Sequence, residues 1–199
     1  MTMTAMQACS TIQHHRGDAI VVTTMGAMNT LDKISNNALN VACVPLMGGA
    51  ASLGLGLALA RPERPVLVLD GDASLLMELG GLVSVAQAAP PNFAHFVLNN
   101  STQFAGLGNL ETPGAKTVDF AGMAKSAGYQ ATHRITDADD FEHRIAAILA
   151  GPQPAFVELI IESDPPVLGA DKPSVEMTDQ RFTRMGDELR RIRATLVEA

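Results

Sequence analysis

The sequence predicts a three-layer α/β/α protein built on a mainly parallel sheet. Short runs rich in β-branched and aliphatic residues recur along the chain, among them AIVVTT at 19–24, PVLVL at 65–69 and AFVELII at 155–161. Such runs, apolar on both faces, are the pattern of buried parallel strands. Helical patterns separate them, as the crossovers of a parallel sheet require. Gly, Pro, Asp and Asn punctuate the strand ends.

Composition bounds the function. The chain has 199 residues, 47% hydrophobic and 18% charged, with a formal net charge of −7. That describes a globular α/β domain large enough for a sizeable core, and it argues against nucleic-acid or anionic-membrane partners. Cys9 and Cys43 are too few and too far apart for a zinc or iron–sulfur site, and they fit a reducing compartment. The first ten residues lack the basic and apolar regions of a secretory signal, and the apolar run at 50–60 is too short to span a bilayer. A cytoplasmic protein is expected, in which the sequon Asn100-Ser101-Thr102 is coincidental.

Taken in order, residues 1–15 look polar and unpatterned and are expected to fray. A strand at 19–24 leads through Met25-Gly26 into a short helix ending at Leu31. An extended piece at 40–44 precedes Pro45-Leu46-Met47-Gly48. The small-residue run 48–60 reads as a buried helix, so its Gly54-x-Gly56 is no dinucleotide fingerprint. A strand at 66–69 meets the acidic turn Asp70-Gly71-Asp72, and a helix from 73 to 89 stops at Pro90-Pro91-Asn92. The strand 95–98 then delivers Asn99-Asn100. Residues 101–117 form a long loop without periodicity, the kind that carries function. A helix at 118–127 capped by Gly128, a strand at 129–133, a helix at 137–149 and a strand at 155–161 complete the body. In the last helix, 178–197, Phe182, Met185, Leu189, Ile192 and Leu196 make one apolar seam, to be buried on the chain's own sheet or on another subunit. The arginines on its other faces read as a solvated surface. His14, His15, His95, His133 and His143 are isolated and read as surface or satisfied core residues. The domain organisation expected is a flexible N-terminus at 1–15, one domain at 16–170 and a C-terminal helix at 171–199.

The chemistry concentrates on one β-α-β unit, because parallel strands 66–69 and 95–98 bring their carboxyl ends together. Asp72 and Asn100 meet there. A carboxylate and a carboxamide suit Mg²⁺, which completes its octahedron with phosphate oxygens and water. The N–H groups at Ala73 and Ser74 suit an anion. The structural alternative makes Asp72 a helix cap and Asn99-Asn100 a turn. With both halves on one unit, a metal-bridged phosphate or diphosphate is the stronger reading.

Gly71-Asp72-Ala73, then 25 residues (74–98), then Asn99-Asn100 resembles the GDG…NN signature of thiamine diphosphate enzymes. The flanks LDGDASLLMELGGL and PNFAHFVLNN are similar to the phosphonopyruvate and sulfopyruvate decarboxylase group, and the resemblance covers roughly residues 19–163. Ala73 replaces the usual glycine, which is tolerated where φ is negative. The resemblance implies a thiamine diphosphate-binding fold, with 16–170 as the diphosphate-binding domain. It implies Mg²⁺ held by Asp72, Asn100 and the Thr102 carbonyl. It implies cofactor contacts from Thr24, Gly26, Pro45, Met47, Gly71, Asp72, Ala73, Ser74, Asn100, Thr102, Gln103 and Phe104. Met47 would wedge between the cofactor's two rings and enforce its bend, with the Pro45 carbonyl on the aminopyrimidine. As a plain sequence feature, a methionine in a loop beside a buried helix is more often gap-filling core than a functional residue.

The resemblance also implies a partner. The glutamate that faces the pyrimidine comes, in this superfamily, from a separate pyrimidine-binding domain, and nothing before Ala19 could encode it. The chain therefore looks like the β subunit of a sulfopyruvate decarboxylase, completed by an α polypeptide and active as an oligomer. Its substrate would be a small 2-oxo acid. Gln103-Phe104 stand where phosphonopyruvate decarboxylases carry a His-Asp pair, which favours sulfopyruvate; phosphonopyruvate or another carboligase or decarboxylase substrate is the alternative. A non-catalytic cofactor-binding subunit is the reading of another class, with Ala73 its only support.

Overall fold

A computed structural model describes residues 2–43, 46–168, 171 and 180–197, the side chains at 180–183 excepted. The segment expected to fray is a helix, α1 (Ala5–His15). Thr4 and Gln7 cap it reciprocally, the Gln7 N–H donating to Thr4 Oγ1 and the Thr4 N–H to Gln7 Oε1. Met3, Ala8, Cys9 and Ile12 are buried beneath it. The signal was in the sequence, as Thr-x-x-Gln ahead of an apolar stripe, but the polar residues around it hid the period.

The chain continues through β1 (Ile20–Thr23), α2 (Met25–Ile34), β2 (Asn40–Ala42), α3 (Ala50–Ala60), β3 (Val66–Gly71), α4 (Asp72–Met77), α5 (Gly80–Ala88) and β4 (Phe93–Asn99). A small hairpin, β5 (Thr102–Gln103) with β6 (Leu110–Glu111), precedes α6 (Phe120–Ala127), β7 (Ala131–Ile135), α7 (Ala138–Ala150), β8 (Ala155–Ile160) and α8 (Gln180–Val197). Six strands form one sheet in the order β2-β1-β3-β4-β8-β7, every neighbouring pair parallel. Alternation within each strand feeds two cores. Leu67 and Leu69 join Phe96, Phe141 and Ile145 under α1, α2 and α7. Val66 and Val68 join Val85, Phe93, Phe156 and Ile192 under α3, α5, α6 and α8.

Several expectations need correction. The helix α3 is buried on one side only: Gly54 lies so close to the sheet that a Cβ would stand 2.4 Å from Val68 Cγ2, whereas Leu59 is 57% exposed. The continuous helix expected at 73–89 breaks at Glu78 (φ −143°), between α4 and α5, ahead of the paired Gly80-Gly81. The strand expected at 129–133 begins at Ala131, because Tyr129 N–H still closes the end of α6 on the Ala124 carbonyl. The long loop contains the β5–β6 hairpin. The C-terminal seam is buried on the chain's own sheet: Ile192 and Leu196 enter the core, and Glu188 accepts the Ala42 N–H of edge strand β2 at 2.8 Å. The side chain of Phe182 lies outside the described residues. Among the described residues, no helix is long and apolar enough to cross a membrane.

Candidate active site

From β1 the chain moves outward to β2, then returns to place β3 on the other side of β1. Open parallel sheets bind ligands outside the strand carboxyl ends at such a reversal. Thr24 and Gly71 emerge here side by side, the Thr24 N–H donating to the Leu69 carbonyl at 3.2 Å. Backbone strain gathers around the same rim: Met25, Ser101 and Phe104 all have positive φ, at 47°, 58° and 51°.

Asp72 is 2% exposed, and its Oδ2 has no hydrogen-bond partner. Burial pushes its carboxyl above the usual range, while the Thr112 hydroxyl and the N–H groups of Ala73, Asp72 and Asn100 pull it back. The Thr112 oxygen is itself buried, and although it stands by Asp72 the contact falls short of regular hydrogen-bond geometry. A buried carboxylate with a partnerless oxygen is costly in a purely structural role, and is the donor a divalent cation would satisfy. The N–H of Ala73 serves Asp72 itself, and α4 has only six residues, so its dipole adds little. Ala73 lies inside α4, away from the positive-φ positions, which is why alanine can stand in place of glycine.

Asn100 comes to Asp72 through its backbone N–H. Its Oδ1 accepts the Thr102 N–H at 2.9 Å, and the Thr102 hydroxyl donates to the Asn100 carbonyl at 2.9 Å. The Thr112 N–H bonds the Ser101 carbonyl, so the hairpin carries Thr112 over Asp72. The Ser74 hydroxyl accepts the Gly48 N–H at 2.8 Å and fastens the Met47-Gly48 turn to α4. Gly48 has φ +86°, and a Cβ there would lie 2.8 Å from Glu78 Cβ, so glycine is required. Met47 is half-buried in that turn; Pro45 lies outside the described residues. Gly71, Asp72, Ala73, Ser74, Asn100 and Thr102 thus form one connected group. Thr24 follows the neighbouring strand β1 and Gly26 lies in the first turn of α2, Gln103 pairs with Leu110, and Phe104 is exposed in the turn beyond it.

Two buried networks lie beneath. Asp70 accepts the Gly71 N–H at 2.8 Å and faces His95 Nε2 at 3.4 Å, with Tyr129 Oη on the other ring nitrogen. His95 is thereby a satisfied core histidine. In the second, Asn99 donates to the fully buried Glu158 at 2.8 Å and accepts the Ser101 N–H at 3.1 Å. Glu158 also accepts the Ala121 N–H at 3.4 Å, with Arg134 Nε at 3.6 Å. The first Asn of the pair therefore anchors the strained turn and leaves the second to face Asp72.

Exchanging donor and acceptor tests that anchor. Asn99→Asp alone sets two carboxylates face to face; Glu158→Gln alone turns an NH₂ toward Asn99 or Ala121. Each is expected to cost roughly 2–3 kcal/mol in denaturant unfolding. The double variant reverses the bond between the two side chains, keeps acceptors for the Ser101 and Ala121 N–H groups and gives up only the Arg134 ion pair. It should regain most of the loss, whereas simple additivity would overturn the pairing. Thr112 and Glu158 were not found from the sequence, since only the hairpin and the β4–β8 register bring them to the site.

A family profile described as thiamine pyrophosphate enzyme, C-terminal TPP binding domain, matches residues 21–159. The chain is 40% identical over 145 residues to a phosphonopyruvate decarboxylase of Streptomyces viridochromogenes, covering 72% of this chain and 36% of that protein. It is also 40% identical over 130 residues to a sulfopyruvate decarboxylase subunit beta of Methanothermobacter thermautotrophicus, covering 65% of this chain and 67% of that one. The chain thus spans about two fifths, 36% and 42%, of the phosphonopyruvate decarboxylases it matches. In fold it resembles a thiamine diphosphate-dependent 4-hydroxybenzoylformate decarboxylase of Rhodococcus jostii RHA1, with a TM-score of 0.69 at 24% identity, over 82% of this chain and 33% of that one.

Proposed function

The chain belongs to the thiamine pyrophosphate enzymes, as their C-terminal TPP binding domain, and from that premise we propose that it is the diphosphate- and Mg²⁺-binding half of a two-subunit 2-oxo acid decarboxylase. The observation that carries this reading is the buried, partnerless Oδ2 of Asp72 set against Asn100.

In this reading Asp72, Asn100 and the Thr102 carbonyl hold the metal. Thr24, Gly26, Gly71, Ala73, Ser74, Gln103 and Phe104 line the cofactor, with Pro45 at the aminopyrimidine. When bound, thiamine diphosphate supplies the electron sink that accepts the carbon–carbon bonding pair as CO₂ departs. The chain's residues supply position. Asp72 would offset half of the cation's charge, and the Asn99–Glu158 anchor keeps Asn100 beside it. Met47 enforces the bend between the rings, and the Ser74–Gly48 bond ties that wedge to the metal strand end. Residues 16–170 form the diphosphate-binding unit, α1 packs onto it, and α8 closes its sheet edge.

A pyrimidine-binding α subunit would complete the site, as the subunit name of the Methanothermobacter relative supports. Exposed apolar side chains support it too: Leu46 (62%) adjoins Met47, and Met77 (56%) adjoins Glu78 beside Gly48. Identity does not separate the two substrates, at 40% to each relative; Gln103-Phe104 favour sulfopyruvate. The test is CO₂ release by the assembled pair from sulfopyruvate and from phosphonopyruvate, with thiamine diphosphate and Mg²⁺. Sulfopyruvate should have the higher kcat/KM, by about tenfold, which corresponds to about 1.4 kcal/mol at the transition state. Release from neither acid, with the cofactor bound, would overturn both substrate assignments.

A further inference from the structure

On the face opposite α8, the last turn of α1 lies against α7. We propose that His14 and His15 of α1 and Glu142 of α7 form a site for a divalent transition-metal ion, zinc by preference, separate from the Asp72 site. Their ligand atoms all lie within 4.8 Å of one another. His15 Nε2 is 2.8 Å from Glu142 Oε1, and the Thr11 hydroxyl donates to Glu142 Oε2 at 2.7 Å. Those two bonds hold the Glu142 carboxyl below its usual range, so it is ionised and oriented. The His14 ring meets the His15 ring edge-on, with centroids 5.0 Å apart.

Two imidazoles and a carboxylate are the donor set zinc takes, with nitrogen at about 2.0–2.1 Å, oxygen at about 2.0–2.2 Å and water completing the tetrahedron. Neighbouring ligands of such a tetrahedron are about 3.3 Å apart. The His15–Glu142 pair needs to open by only about half an ångström to reach that spacing. His14 is exposed on the surface, and a change of its side-chain rotamer would have to close the remaining distance from at most 4.8 Å. Thr11 supplies the outer hydrogen bond that steadies a ligating carboxylate. The chain ahead of α1 is docked, Met3 bridging to Ile161 and Thr2 to Asp137 at the start of α7, which holds the two helices side by side. Bound metal would clamp the N-terminal helix to α7.

Residue His14 separates a metal site from a plain ion pair. The full chain, stripped with chelator and free of thiamine diphosphate, is titrated with ZnCl₂ by calorimetry and followed by thermal unfolding. One zinc per chain is expected, with a raised midpoint. His14→Ala should leave the metal-free midpoint unchanged yet weaken zinc binding by about tenfold or more. Glu142→Gln should abolish binding and also lower the metal-free midpoint, through its lost bonds to Thr11 and His15. No zinc uptake, or uptake indifferent to His14→Ala, would overturn the proposal and leave a helix–helix ion pair.

Discussion

Asp72→Asn is expected to abolish Mg²⁺-dependent binding of thiamine diphosphate while leaving the unliganded chain as stable as the parent, or more so. The two effects diverge because burial raises the Asp72 carboxyl above its ordinary value. A folded-state value raised in this way makes a contribution that is present at acid pH, below the unfolded carboxyl value. That contribution is lost as pH rises through the raised one. At neutral pH the ionised Asp72 therefore opposes folding until a cation offsets it. Asparagine keeps an oxygen for the N–H groups of Ala73 and Asn100 and removes the buried charge, but it also removes the carboxylate proposed as the metal's anionic ligand. Thermal unfolding with and without cofactor and Mg²⁺ reads both effects. At ligand a hundredfold above Kd, the parent should gain about 2.7 kcal/mol and the variant none. A lowered metal-free midpoint with the ligand-induced gain intact would make Asp72 a helix cap and sink the metal assignment.

The isolated chain should release CO₂ from no 2-oxo acid at a rate above about one hundredth of that reached with a pyrimidine-binding subunit. The carboxylates gathered at the described rim are already committed. Asp70 is spent on the Gly71 N–H and His95, and Asp72 on the metal position proposed for it. Neither is available to face the pyrimidine ring, a task that general acid–base catalysis values at about 10²–10⁴-fold. Mixing this chain with the α polypeptide at fixed cofactor and substrate, and following CO₂ as the ratio rises, should give turnover that saturates at a defined stoichiometry. Full turnover by the chain alone, with cofactor binding still abolished by Asp72→Asn, would place the glutamate within this chain and end the two-subunit reading.

Much of this protein was legible in its residues. Strands that are apolar on both faces can be satisfied only between two helical layers, so AIVVTT, PVLVL and AFVELII fixed the parallel three-layer class. The Asp72 and Asn100 pair could be found because motif spacing and β-α-β geometry are both local. What failed locally was masked by context. The Thr4/Gln7 capping box was lost in a polar stretch, and the break at Glu78 sits in a pattern whose apolar residues continue on both sides.

By itself, the sequence determined which side chains sit at strand ends, because a strand's residues and its terminating turn are contiguous. It could not determine what those side chains meet. The β4–β8 register sets Asn99 on Glu158, the hairpin returns Thr112 over Asp72, and α8 lays Glu188 on the open edge of β2. These pairings join positions 59, 40 and 146 residues apart. They follow from which buried polar groups must share partners once water is excluded, a condition that exists only after the sheet has closed.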